Sequence, residues 1–242
     1  MRPFRELIDL LERELAATGQ LVAEFTLPGQ EPRYAEPSRP LPSELGEYLA
    51  RESIRLYLHQ VEALEAVRAG EQVIIVTPTA SGKTLAFNLP VLERLIRDRQ
   101  ATALYLYPLK ALTNDQLFKL RVLERELGLD LSAHVYDGDT PTHFRPHIRA
   151  QARILLTNPY ALHRYLPWHG KWKRFLEHLE FVVIDEAHQY RGVFGSHVAL
   201  LVRRLRRILA RYGADPQFIL SSATVANPGA VSYTHLTLPT KA

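Results

Sequence analysis

The run Val73-Ile74-Ile75-Val76, followed by Thr77-Pro78-Thr79-Ala80-Ser81-Gly82-Lys83-Thr84, leaves this chain fewer folding options than any other segment. Four consecutive β-branched residues read as a strand buried on both faces, as strands of a parallel sheet are. The strand enters a tight loop, and the loop opens a helix at Gly82-Lys83-Thr84. At such a helix start, the backbone around Thr79, Ala80, Ser81 and Gly82 can wrap a phosphate, helped by the helix dipole. Lys83 is placed to reach the β- and γ-oxygens of a nucleotide, and the Thr84 hydroxyl to ligate Mg²⁺. Thr77 stands where the general G-x-x-x-x-G-K-T pattern has its first glycine, so the segment alone also admits a chance Gly-Lys-Thr at a helix start.

The surroundings fit an α/β domain. Further strands are expected at Ala103–Tyr107, Ser132–Tyr136, Arg153–Leu156, Phe181–Ile184 and Phe218–Leu220, with helices near Lys83–Ile96 and Ala111–Leu127. Buried strands alternating with helices predict a parallel sheet covered on both faces. Upstream, Phe4, Leu7, Ile8, Leu11 and Leu15 repeat at helical spacing. Five prolines between residues 27 and 45 predict an extended arm. The expected organisation is therefore an N-terminal helix and arm over 1–50 and one nucleotide-binding α/β domain over 51–230. The 242 residues contain no cysteine, which excludes disulfides, thiolate metal sites and cysteine catalysis within this stretch. No apolar run approaches the roughly 20 residues of a membrane span, and acidic residues interrupt the N-terminal helix, so no membrane partner and a cytoplasmic location are expected.

Phe181-Val182-Val183-Ile184 delivers Asp185-Glu186-Ala187-His188 at its C-terminal end. Ligands of parallel α/β sheets bind at the carboxyl ends of the strands, so both carboxylates should arrive beside the phosphate loop. Asp185 suits Mg²⁺ binding, and Glu186 suits orienting and deprotonating a water that attacks the γ-phosphate. Acidic residues also favour the first turn of a helix for purely local reasons.

These segments, in this order, resemble the superfamily 2 helicases, whose phosphate loops often lack the first glycine. Tyr57-Leu58-His59-Gln60 resembles the Q motif, which implies that Gln60 reads adenine. Tyr107-Pro108-Leu109-Lys110 through Asn114 and Gln116 resembles motif Ia, and Leu156-Thr157-Asn158-Pro159 resembles motif Ib. Ser222-Ala223-Thr224 resembles motif III, with Ser222 and Thr224 coupling hydrolysis to strand separation. A narrower resemblance is carried by Tyr136-Asp137-Gly138-Asp139-Thr140-Pro141, Trp168-His169 through Trp172, and Tyr190-Arg191-Gly192-Val193-Phe194-Gly195-Ser196-His197-Val198. These look like the mitomycin-repair type of 3′-to-5′ DNA helicase, a RecQ-related group with a zinc-containing C-terminal domain. The resemblance implies a RecA-like fold, ATP and Mg²⁺ at Gln60, Thr79–Thr84, Asp185, Glu186 and His188, and a second RecA-like domain in cis. It also implies single-stranded or forked DNA at Pro108, Lys110, Asn114, Gln116, Gly138, Asp139, Thr157 and Asn158. An RNA helicase and a non-catalytic nucleotide-dependent binding module are the alternatives.

Other features read more plainly. Arg203, Arg207 and Arg211 share a helical face opposite Leu201, Leu205 and Ile208, which is how a solvated amphipathic helix looks. His143 and His147 have ligand-like spacing, but Pro146 lies between them and no carboxylate completes a metal site. Arg145 and Arg149 are better suited to backbone phosphates, and Trp168 and Trp172 to packing.

The motifs stop at Ala230. Residues 231–242 read as the translation of a transposon-based sequencing adapter, so the natural chain is expected to continue differently into a second motor domain. In related phosphoryl transfers, an arginine from outside the first domain contributes on the order of 10³ to 10⁵ in rate. The 242-residue polypeptide is therefore expected to hydrolyse little ATP; robust DNA-stimulated turnover by the purified chain would contradict this.

Overall fold

The computed structural model describes residues 2–19, 31–78 and 81–223. Thr79, Ala80, Thr224 and the segment 231–242 lie outside the described residues. The chain divides into two compact units, residues 1–33 and 34–242. The first contains α1 (Arg2–Ala17), whose Leu7, Leu10 and Leu11 are exposed.

The second unit is built on a six-stranded, wholly parallel sheet. Its strands are β1 (Val73–Val76), β2 (Thr102–Leu106), β3 (Ala133–Val135), β4 (Ile154–Thr157), β5 (Leu179–Ile184) and β6 (Gln217–Ser222), in the spatial order β1-β6-β5-β2-β4-β3. Successive side chains alternate between two cores, as the strand period of two requires. Ile75, Ala103, Tyr105, Phe181, Val183 and Ile219 face one helical layer. That layer contains α2 (Ser43–Arg51), α3 (Leu58–Arg68), α4 (Lys83–Arg97) and α5 (Lys110–Leu127). Leu104, Leu106, Val182, Ile184, Phe218 and Leu220 face the other. There α6 (Arg145–Gln151), α7 (Pro159–Tyr165), a 3₁₀ turn (Leu166–Trp172), α8 (Lys173–Glu177) and α9 (Gly192–Arg211) close the sheet. Leu201, Leu205 and Ile208 of α9 are buried, as their spacing predicts. Trp172 is buried edge-on against Tyr136 and Phe175.

The arm differs from expectation. Residues 34–50 belong with the sheet unit, which moves its start from residue 51 back to residue 34. The physical reason is the pair Leu45 and Leu49, four apart on α2, which bury 1% and 7% exposed in the cores over α3 and α4. Residues 31–42 before α2 form no helix and are pinned at defined points. Tyr34 bridges Tyr57 antiparallel and stacks on its ring at 5.2 Å. Ser38 donates its N–H and hydroxyl to the Glu65 carboxylate at 2.9 and 2.7 Å. The Ser38 hydroxyl is the main cause that holds the Glu65 carboxyl below its usual range. A depressed carboxyl stabilises the fold above its unfolded value and stops doing so as pH falls through the folded one, so this tether weakens only in acid.

One ion cluster ties α3 to α4 inside this layer. Arg68 grips Glu93 with two nitrogens, each at 2.9 Å, and Arg97 adds a bond at 2.7 Å. Glu93 is 5% exposed, so its charge depends on these partners. Arg68→Leu is expected to cost about 2–3 kcal/mol, since Arg97 offsets only part of the loss. The double variant Arg68→Leu/Glu93→Leu should recover most of that cost in denaturant unfolding; equal destabilisation of the single and double variants would refute this account.

Candidate functional site

Strand pairing assembles the site. β6 lies between β1 and β5, with Val76 opposite Ser222 and Ile184 opposite Leu220. Neighbouring strands are about 4.8 Å apart, so the loop leaving β1 and the acidic pair leaving β5 start about 10 Å from each other at one edge of the sheet.

The loop is braced from within. Lys83 donates to the Thr77 and Pro78 carbonyls, both at 2.9 Å, and the Ser81 hydroxyl donates to the Thr77 hydroxyl at 2.6 Å. Thr77 therefore supplies a side-chain strut where the general pattern has glycine. Gly82, the N-cap of α4, has φ +81°, and a Cβ there would stand 2.5 Å from the Gln60 amide nitrogen. Both facts require glycine. Gln60 is buried; its Oε1 accepts from the Tyr57 N–H at 2.9 Å, and its Nε2 donates to the Gly82 carbonyl at 3.0 Å. One amide hydrogen and one lone pair remain, the complement of an adenine edge. The sequence points to Gln60 but not to its bond with the loop.

Asp185 is buried and its Oδ1 accepts from the Ser221 hydroxyl and, at 2.9 Å, from the Glu186 N–H. Its Oδ2 has no hydrogen-bond partner among the described residues. Glu186 adopts a left-handed backbone, φ 51° and ψ 43°, uncommon for a residue with a Cβ. The His188 Nδ1 stands 3.2 Å from Glu186 Oε2 and 3.4 Å from the Ala223 N–H. A single ring nitrogen can donate to the first or accept from the second, so its protonation decides which contact it makes. Around them, the Tyr107 and Tyr190 hydroxyls are buried without hydrogen-bond partners among the described residues. Burial first, then neighbouring negative groups including Asp185, pushes both phenols upward, so both stay neutral.

The residue that reaches Asp185 is Ser221, not Ser222. Ser222 points to the opposite face, and its hydroxyl bonds the Ala223 carbonyl at 3.0 Å. Ile184 pairs with Leu220, so the next residues along, Asp185 and Ser221, are neighbours on one face. That pairing is the signal a single sequence lacks.

The expected nucleic-acid residues divide into two groups. Lys110, at the start of α5, reaches Asp139 at 2.6 Å and so ties the segment after β2 to the Gly138-Asp139 turn after β3. Pro108 is half-buried and Asn114 exposed nearby. Thr157, Asn158 and Gln116 are buried instead. The Thr157 hydroxyl donates to the Tyr136 carbonyl at 2.6 Å, Asn158 caps α7 by accepting from Ala161 N–H at 2.9 Å, and Gln116 is buried. Arg145 and Arg149 are likewise engaged internally: Arg145 donates to the Thr140 carbonyl and Arg149 to the Tyr136 hydroxyl. His147 meets His134 ring to ring.

A parallel sheet that offers a lysine-bearing loop after β1 and an Asp-Glu pair after β5, with helices on both faces, is a RecA-like nucleotide-binding motor fold. The chain belongs to the DEAD/DEAH box helicase family, which matches residues 57–231. It is 49% identical over 204 residues to the uncharacterized ATP-dependent helicase YprA of Bacillus subtilis, covering 82% of this chain and 27% of that one. It is 38% identical over 228 residues to the ATP-dependent helicase HRQ1 of Saccharomyces cerevisiae, covering 92% and 21%. The crystal structure of the DUF1998 helicase MrfA bound to DNA and AMPPNP superposes with a TM-score of 0.84 at 45% identity, over 87% of this chain and 30% of that one. The chain thus spans about a quarter of the length of these relatives. Among the described residues, no helix is long and apolar enough to cross a membrane.

Removing the Ser221 hydroxyl leaves Asp185 short of a buried, charge-assisted bond. Ser221→Ala is expected to cost about 1.5–3 kcal/mol, and Ser222→Ala less. Denaturant unfolding of the two variants checks this ordering, and the reverse ordering would contradict it.

Proposed function

We propose that this chain is the ATP-binding half of a DNA-dependent motor, in which ATP hydrolysis drives translocation along one strand and separation of the other. The observation that carries the proposal is that strand pairing brings the loop bearing Lys83 and the turn bearing Asp185 and Glu186 to the same end of the sheet, with Ser221 holding Asp185. The relatives named above, called ATP-dependent helicases, and the DNA-bound MrfA structure support the same reading.

The chain's residues divide the work. Gln60 offers its remaining hydrogen and lone pair to adenine, and its bond to Gly82 couples base recognition to the loop. The N–H groups at the start of α4 cradle the phosphates, with Thr79 and Ala80 completing the loop. Lys83 exchanges the Thr77 and Pro78 carbonyls for phosphate oxygens. Thr84 and Asp185 suit Mg²⁺: Asp185 Oδ2 and the Thr84 hydroxyl have no hydrogen-bond partner among the described residues, and oxygen donors are what this ion selects. When bound, Mg²⁺ neutralises charge across the phosphate oxygens. Glu186 accepts the proton of the attacking water. His188 can turn its Nδ1 to Glu186 or to Ala223, the residue after β6, and through Ser222 and Thr224 the hydrolytic state reaches the rest of the motor. Pro108, Lys110, Asn114, Gly138 and Asp139 form the near wall of the DNA path, while Thr157, Asn158 and Gln116 position it from behind. A second RecA-like domain in cis supplies the arginine that completes the transition state, and the resemblance to the mitomycin-repair type of helicase supports a role in DNA repair.

In the whole protein, Glu186→Gln is expected to retain ATP binding while turnover falls about 10²- to 10⁴-fold, the usual contribution of a general base. Lys83→Ala should lose both. Steady-state ATP hydrolysis with single-stranded DNA or RNA as activator provides the test. Unchanged turnover in Glu186→Gln would overturn the hydrolytic reading, and stimulation by RNA alone the choice of DNA.

A further inference from the structure

The two helical layers have opposite electrical characters. Residues 140–176 and 187–214, which supply α6 to α9 apart from the end of α8, contain no Asp or Glu but thirteen Lys and Arg. The chain as a whole carries only +4, so the remainder holds an excess of acid. In the α2–α5 layer the cations are largely spoken for: Arg51, Arg68, Arg94, Arg97 and Lys119 all have carboxylate partners. On the opposite side Arg204, Arg207 and Arg211 have no ion-pair partner among the described residues.

These three arginines line a groove between α7 and α9. Its upper part, about 510 Å³, is lined by Pro159 and Tyr160 of α7 and by Phe194, His197, Arg204 and Arg207 of α9. The same two arginines continue into a lower basic part that ends at Arg211. Tyr160 is 72% exposed and Val193, beside Phe194, is 75% exposed. From Phe194 to Arg211 the helix runs about 25 Å. Exposed aromatic rings over a run of unpaired cations are what a single strand of nucleic acid uses: rings for bases, cations for phosphates. The groove also starts at the residue after Asn158, where the proposed DNA path reaches α7.

We propose that the α7–α9 groove is a second binding segment for single-stranded DNA, continuing the path that begins at Lys110 and Asp139. Tyr160 and Phe194 stack on bases there, and Arg204 and Arg207 contact phosphates. This inference rests on the motor reading above.

The test uses the 242-residue chain and a fluorescently labelled oligothymidylate, with binding followed by anisotropy across a range of salt. Arg204→Ala/Arg207→Ala is expected to weaken binding at least tenfold at low salt and to flatten the slope of log affinity against log salt by about 1.4, near 0.7 for each lost phosphate contact. Tyr160→Ala removes a side chain that the fold does not need and should weaken binding at least fivefold while leaving the slope unchanged. Lys110→Ala serves as the comparison in the path already proposed. If Lys110→Ala weakens binding and the groove variants match the unaltered chain, the groove assignment is overturned, and the surface belongs to a protein partner. If the whole protein, tested alike, binds nucleotide but no oligonucleotide, the motor reading itself fails.

Discussion

β6 sits between β1 and β5, and the site depends on that placement more than on any single residue. Two parallel pairings set the register at its carboxyl end. One brings the phosphate loop alongside Ser222, and the other brings Asp185 alongside Ser221. Because parallel strands are buried on both faces, slipping either register by one residue would exchange the two cores wholesale, so core packing and site geometry are enforced together. Thus the Asp185 carboxylate is held by a hydroxyl whose own position is fixed by Ile219 and Leu220 in opposite cores.

Much of this was legible in the sequence because the chemistry is local. A β-branched run ending in Gly-Lys-Thr, and an apolar run ending in Asp-Glu, each declare strand, turn and function within a dozen residues. Strand limits moved by at most one residue, except that β5 begins two earlier, at Leu179, and β6 ends two later, at Ser222. What escaped were facts about pairing. Ser221 looks like core and Ser222 like function until the register of β5 and β6 is known. Gln60 advertises base recognition, yet its bond to Gly82 spans 22 positions, and nothing in either segment announces it. Thr157 and Asn158 have the right chemistry for phosphates, but Tyr136 and the first turn of α7 claim that chemistry first.

The arm was misjudged for a related reason. Proline density between 27 and 45 signals extended chain, and among the described residues it holds from Glu31 to Pro42. It conceals the fact that Pro42 stands at the N-cap of α2, a position that spares the helix the missing N–H. Leu45 and Leu49 then bury like any core residues. A region that reads as an appendage is in fact one side of the housing around Gln60, since Tyr34 stacks on the Tyr57 that precedes it.

The division of charge between the helical layers has a consequence before any contact forms. A layer of acid-paired cations on one side of a sheet, and an excess of cations over acids on the other, gives the unit a permanent electric moment directed across its sheet. In the field of a polyanion such a body turns as it approaches, presenting α9 first. Within about 8 Å at physiological ionic strength the encounter is already oriented, and raising the salt would slow productive collisions rather than merely loosen finished ones.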